Sequence, residues 1–375
     1  MKKDSQLRMT IIGLGKVMEA IFPCITNTVG PQNLSNQVNA TTADKADLAV
    51  KEERLGIKVY LKNNMQALLN MRPDIIFFAP PPKAAPWIVK HELKRYYQQI
   101  RQEKGVMPDI YAFPPVPGGG YYREILGNDV LVVNILPNVI QKIAGVPLNR
   151  EGLSYCIFPS PWPANNMNRL YRILSVLGGA LEIEPDEVLP LIGGLAMIHS
   201  LPEVILMVTD ILGTSPGAEA HQRLAGYLRA RLQEEMNYRP QDITPCTTEN
   251  VKGAAHTFLD AMICGWWKGL SIFYKNAGFS PKKVSRILAP TMDLLMHVAQ
   301  MESRPAIKRQ TEISATKEGM LERALTYIND SIYPLFLEAA QELAEAPFEK
   351  WKTKLEERVR DGACAVWEHG RTLSD

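Results

Sequence analysis

The sequence has few cysteines, no marked excess of charge of either sign and no long uninterrupted apolar run. The 5 cysteines are odd in number, lie far apart and include no Cys-x-x-Cys pair, which argues against a disulfide framework or a zinc cluster. The histidines show no metal-binding spacing, so we expect no metal site. Because 42 Lys and Arg residues nearly balance 40 Asp and Glu residues, we expect neither nucleic acid nor an anionic membrane surface as a partner.

The most apolar long stretch, Val188 to Gly213, is interrupted by a histidine, a proline and two acidic residues. That pattern is typical of a buried helix pair rather than a membrane span. The first residues, Met1 to Asp4, lead into a strand-like segment and not into the apolar core of a secretory signal. The sequence therefore predicts a soluble, cytoplasmic protein with no membrane partner.

Short apolar runs alternate with helical patterns over the first 160 residues. Such interleaving predicts βαβ units, in which helices cover both faces of a parallel sheet. The predicted strands are Met9–Gly13, Gln37–Thr41, Ile57–Leu61, Asp74–Ala79, Ile110–Phe113, Val130–Leu136 and Leu153–Phe158. The predicted helices between them are Lys16–Thr28, Asp44–Leu55, Asn63–Met71 and Trp87–Arg101.

Beyond Pro163 the pattern is helical almost throughout, with one short edge strand predicted at Leu181–Ile183. The helices are predicted at Asn166–Leu177, Val188–His199, Pro202–Leu212, Ala218–Met236, Val251–Asn276, Pro281–Met301, Lys317–Ala346 and Phe348–His369. The proline-rich segment at 159–163 marks a domain boundary. We therefore predict an α/β protein, with an N-terminal Rossmann-like doubly wound sheet over residues 1–160. An all-α domain over residues 161–375 would bind substrate and form a homodimer.

The sharpest local motif is Gly13-Leu14-Gly15-Lys16-Val17-Met18, which follows a predicted strand and opens a predicted helix. In a dinucleotide-binding turn the first glycine permits the tight bend and the second lets backbone N–H groups approach a diphosphate. Met18 replaces the third glycine, whose role is helix–strand packing, so the anion site is retained. The motif predicts cofactor contacts at Gly13, Gly15, Lys16, Val17 and Met18. The alternative is a tight turn that binds no ligand.

The tip of the second predicted strand decides between NAD and NADP, because a carboxylate there binds the ribose 2′-hydroxyl and excludes a 2′-phosphate. No acid lies at that tip, whereas the hydroxyls of Thr41 and Thr42 and the cation of Lys45 lie close by. These residues favour NADP over NAD. For Thr42 the alternative role is the N-cap of the next helix.

Several segments resemble the pyrroline-5-carboxylate reductase family and the dinucleotide-binding reductases related to it. The segment from Gly13 to Ile21 resembles the family's opening G-x-G-x-M-G-x-A-I, and Phe77–Pro81 stands where the family has A-V-K-P. The segment Val133–Asn138 resembles V-R-x-M-P-N, and Ser200-Leu201-Pro202 resembles the S-G-P that opens the helical domain. Weaker similarity covers Asp44-Lys45, Leu55–Val59, Asn63-Asn64 and Thr316–Met320.

The resemblance implies an NADP-dependent reductase and a role for further residues. Asn63, Ala79, Pro80 and Asn138 would contact the cofactor, the last beside the nicotinamide, although an asparagine at that position is equally typical of a turn. His199 and Ser200 would face the cofactor, together with Asn138, as the catalytic candidates. His199 could donate a proton if it titrates near neutrality. The alternative is a buried, satisfied histidine.

The chain also departs from the family pattern. Pro80 replaces the lysine of A-V-K-P, Thr41 stands in place of an arginine at the 2′-phosphate site, and His199 and Leu201 replace glycines of S-G-S-G-P. The paired glycines are missing from the terminal loop that holds the substrate carboxylate in the family, which leaves Thr316 as the substrate-binding candidate. These changes imply an altered substrate pocket. The buried-looking aromatic residues Trp266, Trp267 and Tyr274 indicate helical core or a dimer seam, with an aromatic substrate pocket as the alternative.

Two functions remain open from the sequence. The first is an NAD(P)H-dependent reductase that transfers hydride to a C=N or C=O bond of a small organic substrate. The second is a non-catalytic dinucleotide-binding protein, acting as a sensor or an assembly partner. A scaffold in which the glycine turn binds nothing is a third reading.

Overall fold

The computed structural model describes residues 4–45, 48–114, 117–137, 153–200, 254–289, 291, 319–341 and 348–372. The chain divides into two compact units, and the division along the described chain falls between Pro185 and Asp186. The predicted boundary near residue 160 therefore lies inside the first unit. A helix and a strand that follow the proline-rich segment, Ala164–Leu174 and Gly179–Glu182, belong to the first unit.

An eight-stranded sheet forms the centre of the first unit. The strands are β1 (Met9–Ile12), β2 (Val38–Thr42), β3 (Lys58–Leu61), β4 (Ile75–Phe78), β5 (Asp109–Ala112), β6 (Val132–Leu136), β7 (Leu153–Ile157) and β8 (Gly179–Glu182). Their order is β3-β2-β1-β4-β5-β6-β7-β8, and β1 to β6 are all parallel. The order of those six strands is that of a doubly wound, dinucleotide-binding sheet, which confirms the predicted fold class.

The last two strands depart from the predicted parallel arrangement. β7 pairs with β6 in the antiparallel direction, and β8 then pairs in parallel with β7 at the edge of the sheet. The predicted edge strand is confirmed at Gly179–Glu182, two residues earlier than its predicted start. An antiparallel edge on an otherwise parallel sheet is common in doubly wound folds.

The strands at the centre of the sheet are buried on both faces, as their nearly continuous apolar runs predict. Every residue of β1, β2, β4 and β5 is buried. Phe77 meets Tyr111 of the neighbouring strand edge-on at 5.4 Å, and Phe78 meets Tyr122 edge-on at 5.7 Å. These contacts between aromatic rings add about 1 kcal/mol each to the stabilisation that comes from burial.

The helices of the first unit cover this sheet. They are α1 (Lys16–Val29), α2 (Leu48–Leu55), α3 (Asn64–Met71), α4 (Lys94–Gln102), α5 (Gly119–Leu126) and α6 (Ala164–Leu174). Shorter helical segments are Asp4–Gln6, Pro31–Asn33, Leu34–Gln37, Ala85–Ile88, Val89–Leu93 and Ser175–Leu177, of which Val89–Leu93 is a π turn that leads into α4. The helix α5 was not predicted, because three consecutive glycines at its start are poor helix formers.

Asp109, the first residue of β5, is a buried carboxylate with one neutral side-chain partner. Its side chain accepts a hydrogen bond of 2.8 Å from the Asn166 amide, and the residue is 6% exposed. Burial raises the pKa of Asp109 to about 6, against the lowering effects of the Asn166 hydrogen bond and of the Arg169 charge. Because the folded-state pKa lies above the unfolded value, stability falls as the pH rises from the unfolded value toward the folded pKa, and it stays lowered at higher pH.

Replacing Asp109 with asparagine is expected to raise the free energy of unfolding by about 1–3 kcal/mol near pH 7.5. The gain should fade as the pH falls from 6 toward 4, where the native aspartic acid is itself protonated. Asp129 is the matched control, because its hydrogen bond to Arg101 lowers its pKa, so Asp129→Asn should not stabilise. Differential scanning calorimetry near pH 7.5 and near pH 4 measures the stability of each variant and of wild type. An Asp109→Asn protein that is less stable than wild type near pH 7.5 contradicts this account.

The described residues of the second unit are helices and their connecting turns. The helices are α7 (Val188–His199), α8 (Ala254–Asn276), α9 (Met320–Tyr327), α10 (Tyr333–Gln341) and α11 (Phe348–Thr372). Residues 281–289 are also helical, a short 3-10 turn spans Pro185–Glu187, and the π turn Ile328–Ile332 joins α9 to α10. The predicted helices at Pro202–Leu212 and Ala218–Met236 lie outside the described residues.

The helix α8 packs along α11 so closely that Gly269 lies against the backbone of Glu356. Trp266, Trp267 and Tyr274 of α8 are each at most 2% exposed, and the Tyr274 hydroxyl donates to the Leu191 carbonyl of α7 at 3.1 Å. These aromatic residues therefore belong to the core of the second unit, one of the two roles that the sequence favoured over an aromatic substrate pocket. In the part of the chain that the structure describes, no helix has the length and apolar character needed to cross a membrane.

Candidate functional site

The glycine turn lies at the point of the sheet where the strand order reverses. β1 has β2 on one side and β4 on the other, and the turn connects the carboxyl end of β1 to α1. In doubly wound folds this edge is where ligands bind, because the connections on its two sides diverge to opposite faces of the sheet.

Gly13 is the point of closest approach between the turn and the segment that leaves β4. Its φ is +89°, and a Cβ at this position would lie 2.6 Å from the Ala79 carbonyl oxygen and 2.7 Å from the Pro80 nitrogen. The Ala79 amide in turn donates to the Ile12 carbonyl at 2.8 Å. The structure therefore brings together three of the predicted cofactor-binding residues, and only glycine fits the first of them.

The N–H groups of the turn itself are satisfied inside the protein. The Gly13 amide donates to the Thr41 hydroxyl oxygen at 3.3 Å, and the Leu14 amide donates to the Thr41 carbonyl at 2.8 Å. The Gly15 amide donates to the Gly13 carbonyl at 2.9 Å. Thr41 is 2% exposed and holds the turn in place, which corrects the expectation that its hydroxyl faces a 2′-phosphate.

The N–H groups available to a ligand belong instead to the first turn of α1. The helix begins at Lys16 after Gly15, has no side-chain cap, and its first intrahelical bond runs from the Glu19 amide to the Gly15 carbonyl. The amides of Lys16, Val17 and Met18 therefore make no hydrogen bond to the described part of the chain. Gly15 is exposed, and no atom lies within 4 Å of the position of its missing Cβ.

This arrangement fits the diphosphate of a dinucleotide. The unbonded amides of the exposed residues Lys16 and Val17, at the positive end of a helix dipole, lie next to a residue without a side chain. Met18, at the position of the missing third glycine, is fully buried, so its side chain fills the helix–sheet contact rather than the ligand side. The loss of that glycine leaves the anion site intact.

The tip of β2 extends one residue further than predicted, to Thr42. The Thr42 hydroxyl oxygen accepts a 3.2 Å hydrogen bond from the Asp44 amide, so it shapes the loop and is not the N-cap of α2. Lys45 is exposed in the same loop. The Lys62 amide donates to the Thr42 carbonyl at 2.9 Å, which places a second exposed lysine beside this tip.

Sequence reasoning missed two lysines at this edge of the sheet. Lys62 directly follows the last residue of β3. Its place at the end of a predicted strand, and no motif, could have indicated that it lies at this edge of the sheet. Lys51 of α2 is 8% exposed, and its ammonium donates to the Leu14 carbonyl at 3.2 Å. Helical spacing could have indicated that Lys51 is buried, because it shares a face of α2 with Leu48 and Leu55.

Asn63 is exposed and serves as the N-cap of α3. Its side-chain oxygen accepts from the Gln66 amide at 3.1 Å, and its side-chain nitrogen donates to the Gln66 side chain at 3.0 Å. Its predicted cofactor contact therefore competes with a capping role that satisfies both ends of the amide.

The catalytic candidates His199 and Ser200 lie at the end of α7, in the second unit. Burial lowers the pKa of His199 to about 4, so the expectation that it titrates near neutrality is wrong. The Ser200 hydroxyl is fully buried and donates to the Ala196 carbonyl at 3.0 Å. Asn138 and Thr316, the remaining candidates, lie outside the described residues.

A metal site is not evident in the described residues, since no three His, Cys, Asp or Glu side chains are grouped to hold an ion. The groups that the site offers to a ligand are the N–H groups at the start of α1, the exposed lysines and the backbone at Ala79 and Pro80.

No protein-family model and no curated protein matches the sequence. The structure is similar to a pyrroline-5-carboxylate reductase from Coxiella burnetii, at 14% identity and a TM-score of 0.39, over 93% of this chain and 98% of that one. It is also similar to the Plasmodium falciparum pyrroline carboxylate reductase with NADP bound, at 12% identity and a TM-score of 0.38, over 93% and 98%. A third similar structure is the Aquifex aeolicus prephenate dehydrogenase in complex with hydroxyphenyl propionate and NAD+, at 12% identity and a TM-score of 0.38, over 91% and 94%. Pyrroline-5-carboxylate reductases, which the sequence motifs resemble, are thus among the solved structures to which this chain is similar.

Proposed function

We propose that the protein is an NAD(P)H-dependent oxidoreductase that reduces a C=N or C=O bond of a small organic substrate. The observation that carries the proposal is the first turn of α1, where the unbonded amides of the exposed residues Lys16 and Val17 lie next to Gly15 at the reversal point of the sheet. A bound nicotinamide cofactor would supply the hydride. The chain's own residues would hold the diphosphate and, at Ala79 and Pro80, line the nicotinamide side.

Reduction of a C=N bond is the finer form of this proposal. A protonated imine is already electrophilic, whereas a ketone needs a proton donor for the alkoxide that forms. His199, the histidine proposed as that donor, is neutral at physiological pH because burial lowers its pKa to about 4. A neutral histidine cannot act as a charged acid, so the state of His199 favours an iminium substrate over a ketone, in agreement with the resemblance to imine-reducing enzymes.

NADP is the proposed cofactor, with NAD as the weaker ligand. Lys45 and Lys62 flank the Thr42 tip of β2, where the adenosine ribose would lie, and could neutralise a 2′-phosphate. Fluorescence titration should show NADPH binding roughly tenfold more tightly than NADH, a difference that shrinks as salt is raised. Equal affinities, or tighter binding of NADH, would refute the NADP assignment while leaving dinucleotide binding in place.

Transfer of deuterium from labelled NADPH to a panel of cyclic imines and oxo acids tests the reaction itself. Deuterium in an amine product supports C=N reduction, and deuterium in a hydroxy acid supports C=O reduction. Tight NADPH binding with no transfer to any of them favours the second candidate, a non-catalytic dinucleotide-binding protein. The non-catalytic candidate is supported by the state of Ser200, a proposed catalytic residue whose hydroxyl already donates to the Ala196 carbonyl.

The homodimer through the second unit and the cytoplasmic location remain proposals. The homodimer rests on the long apolar helices of that unit, such as α8. Size-exclusion chromatography with light scattering should give twice the chain mass of 42.0 kDa, and a monomer at micromolar concentration would refute the proposal.

A further inference from the structure

We propose that Lys51 is a positioning residue for dinucleotide binding, which holds the Leu14 carbonyl turned into the protein. The diphosphate then meets the free N–H groups at the start of α1 rather than the Leu14 carbonyl oxygen. This inference rests on the proposed function and adds to it a residue outside the glycine motif.

The contacts of Lys51 are those of a lysine with a defined structural task. Its ammonium donates to the Leu14 carbonyl at 3.2 Å and lies 3.5 Å from a carboxylate oxygen of Glu19 in α1. The residue is 8% exposed. Lysines are seldom buried to this extent unless their charge is paired and their donors are used, and here both conditions hold.

The carbonyl that Lys51 holds belongs to the same peptide group as the Gly15 amide. That amide donates to the Gly13 carbonyl at 2.9 Å, so both polar atoms of the peptide are hydrogen-bonded within the protein. Without a donor at Leu14, the peptide could rotate and bring a partial negative charge toward the phosphate side. The ammonium therefore fixes the orientation of the peptide next to the free amides of α1.

Glu19 makes the test possible without leaving an unpaired carboxylate. It is paired with Arg54 of α2 as well as with Lys51, and the Arg54 side chain is 53% exposed. Removal of either cation leaves Glu19 paired with the other. Within the described part of the chain Arg54 makes no hydrogen bond to the turn, so Arg54→Met is a control that removes the same charge from the same ion-pair network.

The experiment compares wild type, Lys51→Met and Arg54→Met by isothermal titration with NADPH and with adenosine 2′-monophosphate, which lacks the diphosphate. Lys51→Met is expected to weaken NADPH binding about tenfold and to leave adenosine 2′-monophosphate within about twofold of wild type. Arg54→Met should stay within about twofold of wild type for both ligands. Circular dichroism melting verifies that each variant is folded, and Lys51→Leu, which also lacks a donor, replaces Lys51→Met if the latter does not fold.

The outcomes separate this inference from the proposed function. NADPH binding by Lys51→Met or Lys51→Leu that equals wild type overturns the role of Lys51 alone. So does an equal loss with Lys51→Met and Arg54→Met, or a loss that extends to adenosine 2′-monophosphate. A wild-type protein that binds neither NADPH nor NADH overturns the proposed function, and this inference with it.

Discussion

Replacing Gly15 with aspartate is expected to weaken NADPH binding by at least roughly 100-fold while the protein remains folded. Gly15 has φ −109° and ψ −170°, an extended conformation that any residue adopts, and no atom lies within 4 Å of its missing Cβ. The substitution therefore costs little in the free protein. In the complex it places a carboxylate against the diphosphate, beside the amides of Lys16 and Val17 that would bind it.

Gly15→Asn is the matched control, because asparagine has the same shape as aspartate without the charge. The asparagine variant should lose only about tenfold through bulk, and the further loss with aspartate should diminish as salt is raised. Calorimetric titration gives both affinities, and thermal melting gives both stabilities. An aspartate variant that binds NADPH as tightly as wild type would place the diphosphate elsewhere and remove the basis for the proposed function.

The sequence was sufficient to predict most of the sheet and the position of the turn. The strands β1 and β4 are short runs of apolar residues bounded by glycine or proline, and such local signals do not depend on tertiary structure. The parallel direction of β1 to β6 followed from the alternation of strands with helices. The position of the turn after β1 followed from the same pattern.

What the sequence could not predict depends on contacts between distant segments. Thr41 meets the glycine turn because Ile12 pairs with Thr41 in the sheet, and Lys51 meets Leu14 because α2 packs beside that turn. The neutral state of His199 follows from its burial, which no local pattern contains. The antiparallel direction of β7 likewise depends on the path of the chain after β6.

These contacts add to the roles that the sequence motif assigns to the two glycines of the turn. The motif assigns the tight bend to the first glycine and the approach of backbone N–H groups to the diphosphate to the second. In the structure, Gly15 leaves the phosphate side open, whereas Gly13 accommodates the protein's own backbone at Ala79 and Pro80. Substitutions at the two positions should therefore act on different quantities, one on cofactor affinity and the other on folding stability.

Replacing Gly13 with alanine is accordingly expected to lower the free energy of unfolding by roughly 3 kcal/mol or more. A left-handed φ of +89° is unfavourable for alanine by about 1–2 kcal/mol. The added Cβ would also lie 2.6 Å from the Ala79 carbonyl oxygen, and since that atom belongs to the backbone, β1 or the segment after β4 must shift. NADPH binding should weaken as well, because the same shift displaces the start of α1.

Gly56→Ala separates strain from crowding in this prediction. Gly56 has a comparable φ of +65°, but no atom lies within 4 Å of its missing Cβ, so its replacement should cost only about 1 kcal/mol. Urea denaturation of the two variants and wild type gives the difference between them. If Gly13→Ala is no less stable than Gly56→Ala, the close approach of Ala79 does not contribute to stability. The division of roles between Gly13 and Gly15 would then be wrong.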